Sequence, residues 1–375
     1  MNPIVDQLIA RIREAAARRT PLRIVGGGSK DFYGGPSHGE TLATSAWRGI
    51  VEYDPSELVI TARAGTPLSE IEATLREKRQ MLAFEPPHFG FIPSPPLPSG
   101  ERNVVSAMPT NRVATIGGCI AAGLSGPRRA SAGAVRDFVL GVRILDGNGA
   151  ELRFGGRVMK NVAGYDISRL MAGSLGTLGV ILEASLKVLP LPPSERTLRF
   201  KCAEAEALAR MNEWAGQPLP VSATAYRDDE LCVRLSGSAA AVDAAVGKMG
   251  GTAVEPQPAT DFWRGIREQT DQYFAGARPL WRLAVKSTTP PIAIGGSHLI
   301  EWSGALRWFK TEAPAQEIRE LAARSGGHAT LFRGADKSAG VFQPLPAPLM
   351  KIQRELKCSF DPAGIFNPGR LYAEF

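Results

Sequence analysis

Near the start of the chain, Ile4, Val5, Leu8, Ile9, Ile12 and Ala16 recur at helical spacing, with Arg11, Arg13, Arg18 and Arg19 largely on the other side. The periodicity predicts an amphipathic first helix with its apolar stripe on a core. Pro21 to Val25 reads as a short strand running straight into Gly26-Gly27-Gly28-Ser29-Lys30-Asp31. Leu58 to Ala64 predicts a second strand, followed by a helix over 68–79 with Thr66 as N-cap and Pro67 at its first position. Val135 to Leu145, Ala150 to Phe154 and Val180 to Val188 alternate or run apolar as strands do, and Asp146-Gly147-Asn148-Gly149 reads as a hairpin turn.

Prolines interrupt this pattern twice. Pro86, Pro87, Pro93, Pro95, Pro96 and Pro98 exclude a helix or central strand and predict an extended loop. Pro190, Pro192 and Pro193 predict a domain boundary. Beyond it, Thr197 to Lys201, Ala203 to Trp214, Glu230 to Leu235 and Ala239 to Met249 form a β-α-β-α series. That series predicts a separate α+β domain with helices on one face of a sheet. Trp214, Trp263, Trp281, Trp302 and Trp308 all belong to this half, where buried core is the ordinary role of the ring and a pocket lining the alternative. A chain of 375 residues is long enough for two domains with separate cores.

Composition narrows the classes. Cys119, Cys202, Cys232 and Cys358 are scattered without a C-x-x-C pair, which argues against a zinc ribbon, an iron-sulfur site or a disulfide framework in this chain. Met1 to Arg19 contains Asp6 and Glu14 and no unbroken apolar run, unlike a signal peptide or an anchor. A soluble cytoplasmic protein with no transmembrane segment is expected. The net charge of +7 would suit a nucleic-acid binder, but the basic residues are dispersed among 37 acidic ones with no aromatic-basic recognition motif. No nucleic-acid partner is expected, and the excess charge is available to an anionic cofactor, an acidic substrate or an acidic partner subunit.

The candidate chemistry lies in glycine. Gly155, Gly156, Gly164, Gly173, Gly176 and Gly179 stud one apolar stretch, implying backbone that adopts positive φ or passes close to a ligand. The loop from Val25 to Gly35 follows a strand, where successive N–H groups can converge on a diphosphate. It matches neither the Walker A spacing nor Gly-x-Gly-x-x-Gly. Taken alone, it reads equally as a tight turn. Thr115-Ile116-Gly117-Gly118, continued by Ala121 to Gly126, is expected to form a second backbone-donor loop, and Gly176-Thr177-Leu178-Gly179-Val180 a third. Together the three are expected to enclose a long dinucleotide.

Arg23 to Lys30, Thr115 to Gly118, Lys160 to Asp166 and Gly173 to Gly179 resemble the FAD-binding domain of the vanillyl-alcohol oxidase and p-cresol methylhydroxylase (PCMH) superfamily. More narrowly, Glu85 to Gly90, Gly123 to Arg129, Val135 to Gly141, Trp302 to Trp308, Gly326 to Arg333 and Phe360 to Leu371 resemble the FAD-binding subunits of bacterial glycolate oxidase, or glycolate dehydrogenase. The resemblance covers nearly the whole chain. It implies an α+β fold: a two-subdomain PCMH-type FAD-binding domain over 1–190 (subdomains about 1–57 and 58–190), an α+β cap over 191–345, and a C-terminal segment, 346–375, returning to the FAD domain. It further implies that Gly26, Gly27, Gly28, Ser29 and Lys30 hold the pyrophosphate. Pro87, His88, Ala114, Thr115, Gly117 and Gly118 would continue along the cofactor, Gly179 and Val180 would lie near the adenine, and Asn367 would approach the ring. Some superfamily members attach FAD through a histidine in the first loop. Here Ser29, Lys30 and Asp31 stand in that region, so noncovalent FAD is expected. Phe91 to Arg112 looks like extra sequence and is read as a proline-rich surface loop, leaving Met108-Pro109-Thr110 without a cofactor role.

Oxidising a 2-hydroxy acid requires hydride transfer, a base for the hydroxyl proton and a cation for the carboxylate. Related catalytic subunits place histidines and a carboxylate around a metal above the flavin. This chain has only His38, His88, His298 and His328, with no close pair and no metal-ligand spacing. No metal site is expected, and no catalytic residue is assigned. The resemblance therefore implies a subunit of a glycolate-oxidising complex that supports flavin electron transfer beside a homologous FAD-dependent catalytic subunit and an iron-sulfur subunit. Such a chain would be cytoplasmic, or peripheral at the inner membrane through its partners. Two alternatives stay open. One is a self-sufficient 2-hydroxy-acid dehydrogenase using Arg128, Arg129, Trp281, Arg282, Lys286, Arg307 or Arg333 for the acid and His328 as base; the other is a scaffold without redox function.

Overall fold

The structure of the protein, a computed structural model, describes residues 2–90, 112–156 and 165–375. The expected insertion from Phe91, all but its last residue, and the Lys160–Gly164 part of the glycine-rich motif lie outside the described residues.

Helix α1 (Pro3–Arg18) is capped by the Asn2 side chain and buries Val5, Leu8, Ile12 and Ala15. Strand β1 (Leu22–Val25) pairs in parallel with β2 (Glu40–Ala43), and its other edge receives the C-terminal segment through Leu22 N–H to Ile365 O (2.7 Å) and Asn367 N–H to Leu22 O (2.9 Å). Next come β3 (Ile50–Asp54), β4 (Val59–Arg63), α2 (Leu68–Glu77) and β5 (Gln80–Met81). Pro67, not Thr66, stands at the N-cap position of α2, with no side-chain cap. The Thr66 hydroxyl instead donates to Arg63 O (2.7 Å) and accepts from Gly49 N–H (2.8 Å), closing the turn between β4 and α2.

Helix α3 (Ile116–Ala122) and the short helices α4 (Arg129–Ala132) and α5 (Val135–Phe138) lead into β6 (Val139–Leu145), β7 (Glu151–Gly155), α6 (Tyr165–Leu170), β8 (Val180–Lys187) and β9 (Leu189–Pro190). Residues 135–138 are thus helical rather than the start of a strand; Asp137 accepts from Ala134 N–H (2.8 Å) and closes that first turn. The sheet runs β3-β4-β8-β6-β7, antiparallel throughout. Ile71, Leu75, Ile116 and Ile120 of α2 and α3 cover it, packing on Ile60, Ile144 and Leu186.

The remaining chain builds a larger sheet. Its elements are β10 (Ser194–Lys201), α7 (Glu204–Ala215), β11 (Val221–Arg227), β12 (Glu230–Gly237), α8 (Ala239–Met249), β13 (Thr252–Val254), α9 (Pro256–Glu268), β14 (Leu280–Ala284), β15 (Ser297–Glu301), β16 (Leu306–Lys310), α10 (Ala315–Arg324) and β17 (His328–Arg333). They form one eight-stranded sheet ordered β13-β10-β12-β11-β15-β16-β14-β17. Period-two alternation sorts its faces. Leu198, Val233, Leu235, Ile300 and Leu283 lie under α7, α8 and α10. Leu299, Leu306, Trp308 and Phe332 meet Tyr33, Phe89 and Leu124 of the first unit. The expectation of helices on one face needs correction, because Trp263 of α9 packs on Ala223, Ala225 and Cys232 on the opposite face. Finally, α11 (Ala347–Phe360) leads back to β1. The buried Lys357 anchors that return, its ammonium donating to Thr177 O (2.8 Å), Phe366 O (2.8 Å) and Asp361 Oδ2 (2.6 Å).

A polar cluster closes the seam between the two sheets. Glu85 accepts from Arg128 N–H (2.9 Å) and from Arg234 of β12 (2.8 Å). Arg128 also reaches Glu195 of β10 (2.8 Å). Both guanidinium groups are buried and paired, as buried charges must be.

Candidate functional site

The chain leaves β1 at Val25 and turns through Gly26 to Asp31 against the segment before α3. A Cβ on Gly27 would stand 1.5 Å from Val113 O, and one on Gly26 2.5 Å from Thr115 Oγ1. Any side chain there would force the loop off its support, which explains the glycines by packing on one side. The other side faces a cavity of about 330 Å3 lined by Gly26, Gly27, Gly28, Ser29 and Lys30. Among the described residues, the backbone N–H groups of these five positions donate to no protein acceptor. Convergent backbone donors without partners are an anion nest.

Cations complete the cavity. Lys30 is held below the usual lysine range by burial, and its ammonium lies 5.6 Å from the Phe89 ring centroid. Lys337, from the segment after β17, donates to Phe32 O (2.8 Å) and Gly34 O (2.7 Å); burial and Arg370 bring its pKa down to about 8. Arg370 donates to Gly35 O (2.6 Å) and Asp31 O (2.9 Å), while Arg23 pairs with Asp31 (2.8 Å). Backbone donors beside half-buried ammonium groups and the buried Arg370 guanidinium fit the diphosphate of a dinucleotide. Ligand clefts span about 300–1,000 Å3, so the described residues enclose part of such a molecule.

The other sequence-predicted residues divide. Thr115, Gly118 and Asn367 line the same cavity. The expected second donor loop is instead the helix α3, capped by the Thr115 side chain, which accepts from Gly118 N–H (3.3 Å). Gly117 has a packing role: its N–H goes to Ala64 O (2.9 Å), and a Cβ would stand 2.7 Å from the Ala64 methyl. Ala114 is buried, and its carbonyl accepts from Leu68 N–H (2.8 Å). The Asn367 amide is held at both ends, accepting from Ile24 N–H (2.8 Å) and donating to Leu175 O (2.6 Å).

Pro87 lines a second, smaller cavity at the seam. His88 ties elements together: its ring meets Glu72 (3.1 Å), and its N–H donates to Glu268 of α9 (2.9 Å). Gly179 and Val180 pack in the core where β8 begins, apart from the residues lining the large cavity. Sequence reasoning missed Lys337, which no motif marks, and Arg370, which stands beside Asn367 in the turn already singled out.

Among the arginines weighed for acid binding, Arg128 is paired as above, Arg307 bonds Gly304 O, Thr289 O (both 2.7 Å) and Glu204 (3.5 Å), and Arg333 donates to Gln269. Trp281 packs with Ile318 and Ala322 under α10, and Lys286 is exposed. The histidines do not converge: His298 pairs with Glu204 (3.1 Å), His38 is exposed, and His328 starts β17. The described residues contain no group of three or more His, Cys, Asp and Glu that would hold a metal ion. Burial pushes the Cys119 thiol up to about 12, which leaves it unreactive. No helix among the described residues is long and apolar enough to cross a membrane.

The family described as FAD binding domain matches residues 5–91, which contain the glycine loop and Lys30. Among solved structures, alkyldihydroxyacetonephosphate synthase superposes with a TM-score of 0.62 over 97% of this chain and 75% of its own, at 14% identity, a likeness of fold. The glycolate oxidase subunit GlcD of Bacillus subtilis is 44% identical over 99 residues, 26% of this chain and 21% of that protein. The glycolate oxidase subunit GlcE of Escherichia coli is 47% identical over 367 residues, 98% of this chain and 97% of that protein. Identity at that level over both whole chains carries the cofactor with the fold, and the protein belongs to the family of the glycolate oxidase subunit GlcE, FAD-dependent oxidoreductases.

Proposed function

We propose that this chain is the FAD-holding subunit of a complex that oxidises glycolate to glyoxylate, working beside a homologous FAD-dependent catalytic subunit and passing electrons toward an iron-sulfur subunit. In this reading residues 1–190 hold the cofactor in subdomains divided near residue 57, 191–345 cap it, and 346–375 return to brace the first strand. The single observation that carries the proposal is the row of N–H groups from Gly26 to Lys30, unpartnered among the described residues, at a cationic cavity in a chain that aligns with GlcE over 98% of its length. Bound FAD supplies the two-electron acceptor. The backbone donors hold its diphosphate, Lys30 and Arg23 offset the charge, and Asn367 and Arg370 fix the floor of the cavity. Binding is noncovalent, because the loop offers Ser29, Lys30 and Asp31. The scattered histidines support placing hydroxyl-proton removal on the partner subunit. The complex is cytoplasmic, and peripheral at the membrane only through its partners.

Purification from native cells, with flavin and iron analysis, tests the reading. Recovery with a second flavoprotein and an iron-containing subunit, and FAD released by denaturation without proteolysis, is the expected result. Reduction of the flavin by glycolate in the isolated chain would contradict the division of labour, and a colourless chain that cannot be reconstituted with FAD would contradict the redox role.

A further inference from the structure

Between β17 and α11 the chain leaves the large sheet at Gly334, turns through Ala335 to Ala339 and comes back at Gly340. The base of this excursion is fixed. Leu331 N–H donates to Val341 O (2.8 Å), so the returning chain runs along β17, the last strand of its sheet, and Arg319 of α10 donates to Ala339 O and Gly340 O (both 2.7 Å). Phe332 and Phe342, one on each side of the excursion, close on the ring of Tyr33 from the first unit, with centroids 5.2 and 5.6 Å away. Within the tip, Ser338 N–H donates to Asp336 Oδ1 (2.8 Å) and Gly340 N–H to Lys337 O (2.9 Å), and Gly340 takes the left-handed φ of 78° that this tight return requires.

The tip holds the first unit through the Lys337 ammonium, which donates to Phe32 O and Gly34 O and also lines the large cavity. Those two carbonyls follow directly on the nest from Gly26 to Lys30. The charge around this hook is unbalanced: the ionisable side chains lining the cavity are Arg23, Lys30, Lys337 and Arg370 against Asp31, and Asp31 is already paired with Arg23 (2.8 Å). Burial and the nearby Arg370 both work against a charge on Lys337. The closed hook is therefore costly while the cavity lacks an anion, and a diphosphate seated on the nest removes that cost.

We propose that residues 334–340 form a strap over the cofactor cavity, hinged at Gly334 and Gly340, which opens to admit FAD and is then held shut by the bound cofactor through Lys337. Lys337 is a positioning residue in this account: it fixes the backbone of residues 32–34 beside the nest and carries the state of the cavity to the unit of the large sheet. The coupling is reciprocal, so the free energy that FAD gives to the closed hook is the free energy that the closed hook gives to FAD. The strap rests on the seat for FAD proposed above.

Amide hydrogen exchange of the purified chain with and without FAD, read over residues 26–30 and 335–340, tests this together with stopped-flow rates of FAD binding and release. In the parent chain FAD is expected to slow exchange over both segments, by about fivefold or more at 335–340. Lys337→Met is expected to keep the slowing at 26–30, lose it at 335–340, and release FAD about tenfold faster without binding it more slowly. Lys337→Arg, which keeps the charge, is expected to behave as the parent. Slowing at 26–30 with no change at 335–340 overturns the strap and leaves the FAD seat standing, and equal release rates from the parent and Lys337→Met overturn the strap as well. Slowing at neither segment contradicts the seat, and the strap with it. Should Lys337→Met fail to fold, the comparison of the two segments in the parent chain decides alone.

Discussion

Two glycine-rich turns in this molecule look alike in sequence and do opposite things with their backbone. In the turn from Gly26 to Lys30, glycine is demanded by contact on one side, the residues line a cavity, and their N–H groups have no acceptor among the described residues. In the turn from Gly173 to Gly179 the donors are engaged: Gly173 N–H goes to Ile120 O (3.0 Å), Leu175 N–H to Ala121 O (2.8 Å) and Thr177 N–H to Ser174 O (3.0 Å). Gly176 and Gly179 make room for protein, since a Cβ on the first would stand 2.7 Å from Asn367 Nδ2 and one on the second 2.8 Å from Leu145 O. A glycine count measures close approach; the direction of the free N–H decides whether a ligand is what approaches.

The sharpest way to break this comparison is a methyl group in each turn. Gly27→Ala places Cβ on top of Val113 O and is expected to weaken FAD about a thousandfold, or roughly 4 kcal/mol, by titration of the apoprotein. Gly173→Ala, at φ 88° with nothing within 4 Å of its Cβ, is expected to cost about 1 kcal/mol of stability and leave FAD affinity within about twofold. Equal losses of FAD in the two variants would erase the distinction.

Lys30→Gln removes the half-buried cation beside the nest and is expected to weaken FAD by about 2 kcal/mol, or roughly thirtyfold, with the fold intact by circular dichroism. Asn367→Ala cuts the bridge between β1 and the second turn. Its expected cost is about 2 kcal/mol of unfolding free energy, measured in urea, with a smaller change in FAD affinity.

The smallest effect is a pH slope. Because the folded protein holds Lys337 near 8, below its unfolded value of 10.5, the folded state binds fewer protons between those values. The FAD-free chain is then expected to gain stability as pH rises through that window, and Lys337→Met to lose the gain. Thermal melts that fall in parallel for both proteins would contradict the assignment.

Much of the fold was legible because its elements carry ordinary periodicity. The stripe of α1, the apolar run of β8 and the alternation of β10 and β12 each announce a buried face. Residues 135–138 misled because Val135 and Phe138, buried on one side of a helical turn with the charged Arg136 and Asp137 outside, run straight into the apolar Val139-Leu140 of β6; the Asp137 contact to Ala134 N–H marks the turn. Thr66 does not cap because its hydroxyl oxygen accepts from Gly49 N–H instead of from a helix N–H. At the site, the first loop was readable from glycines after a strand. Lys337 was not, since a lone lysine acquires meaning only when the chain brings it across the seam to Phe32 and Gly34. Local pattern reports which face is buried; it carries no record of which distant residue arrives.

Amide hydrogen exchange of the apoprotein and the FAD complex tests the central claim most directly, resolved over residues 26–30 and 173–177. The account predicts fast exchange at 26–30 without cofactor, slowed at least tenfold by FAD, and no comparable change at 173–177. Protection appearing at the second turn while the first stays fast would contradict it.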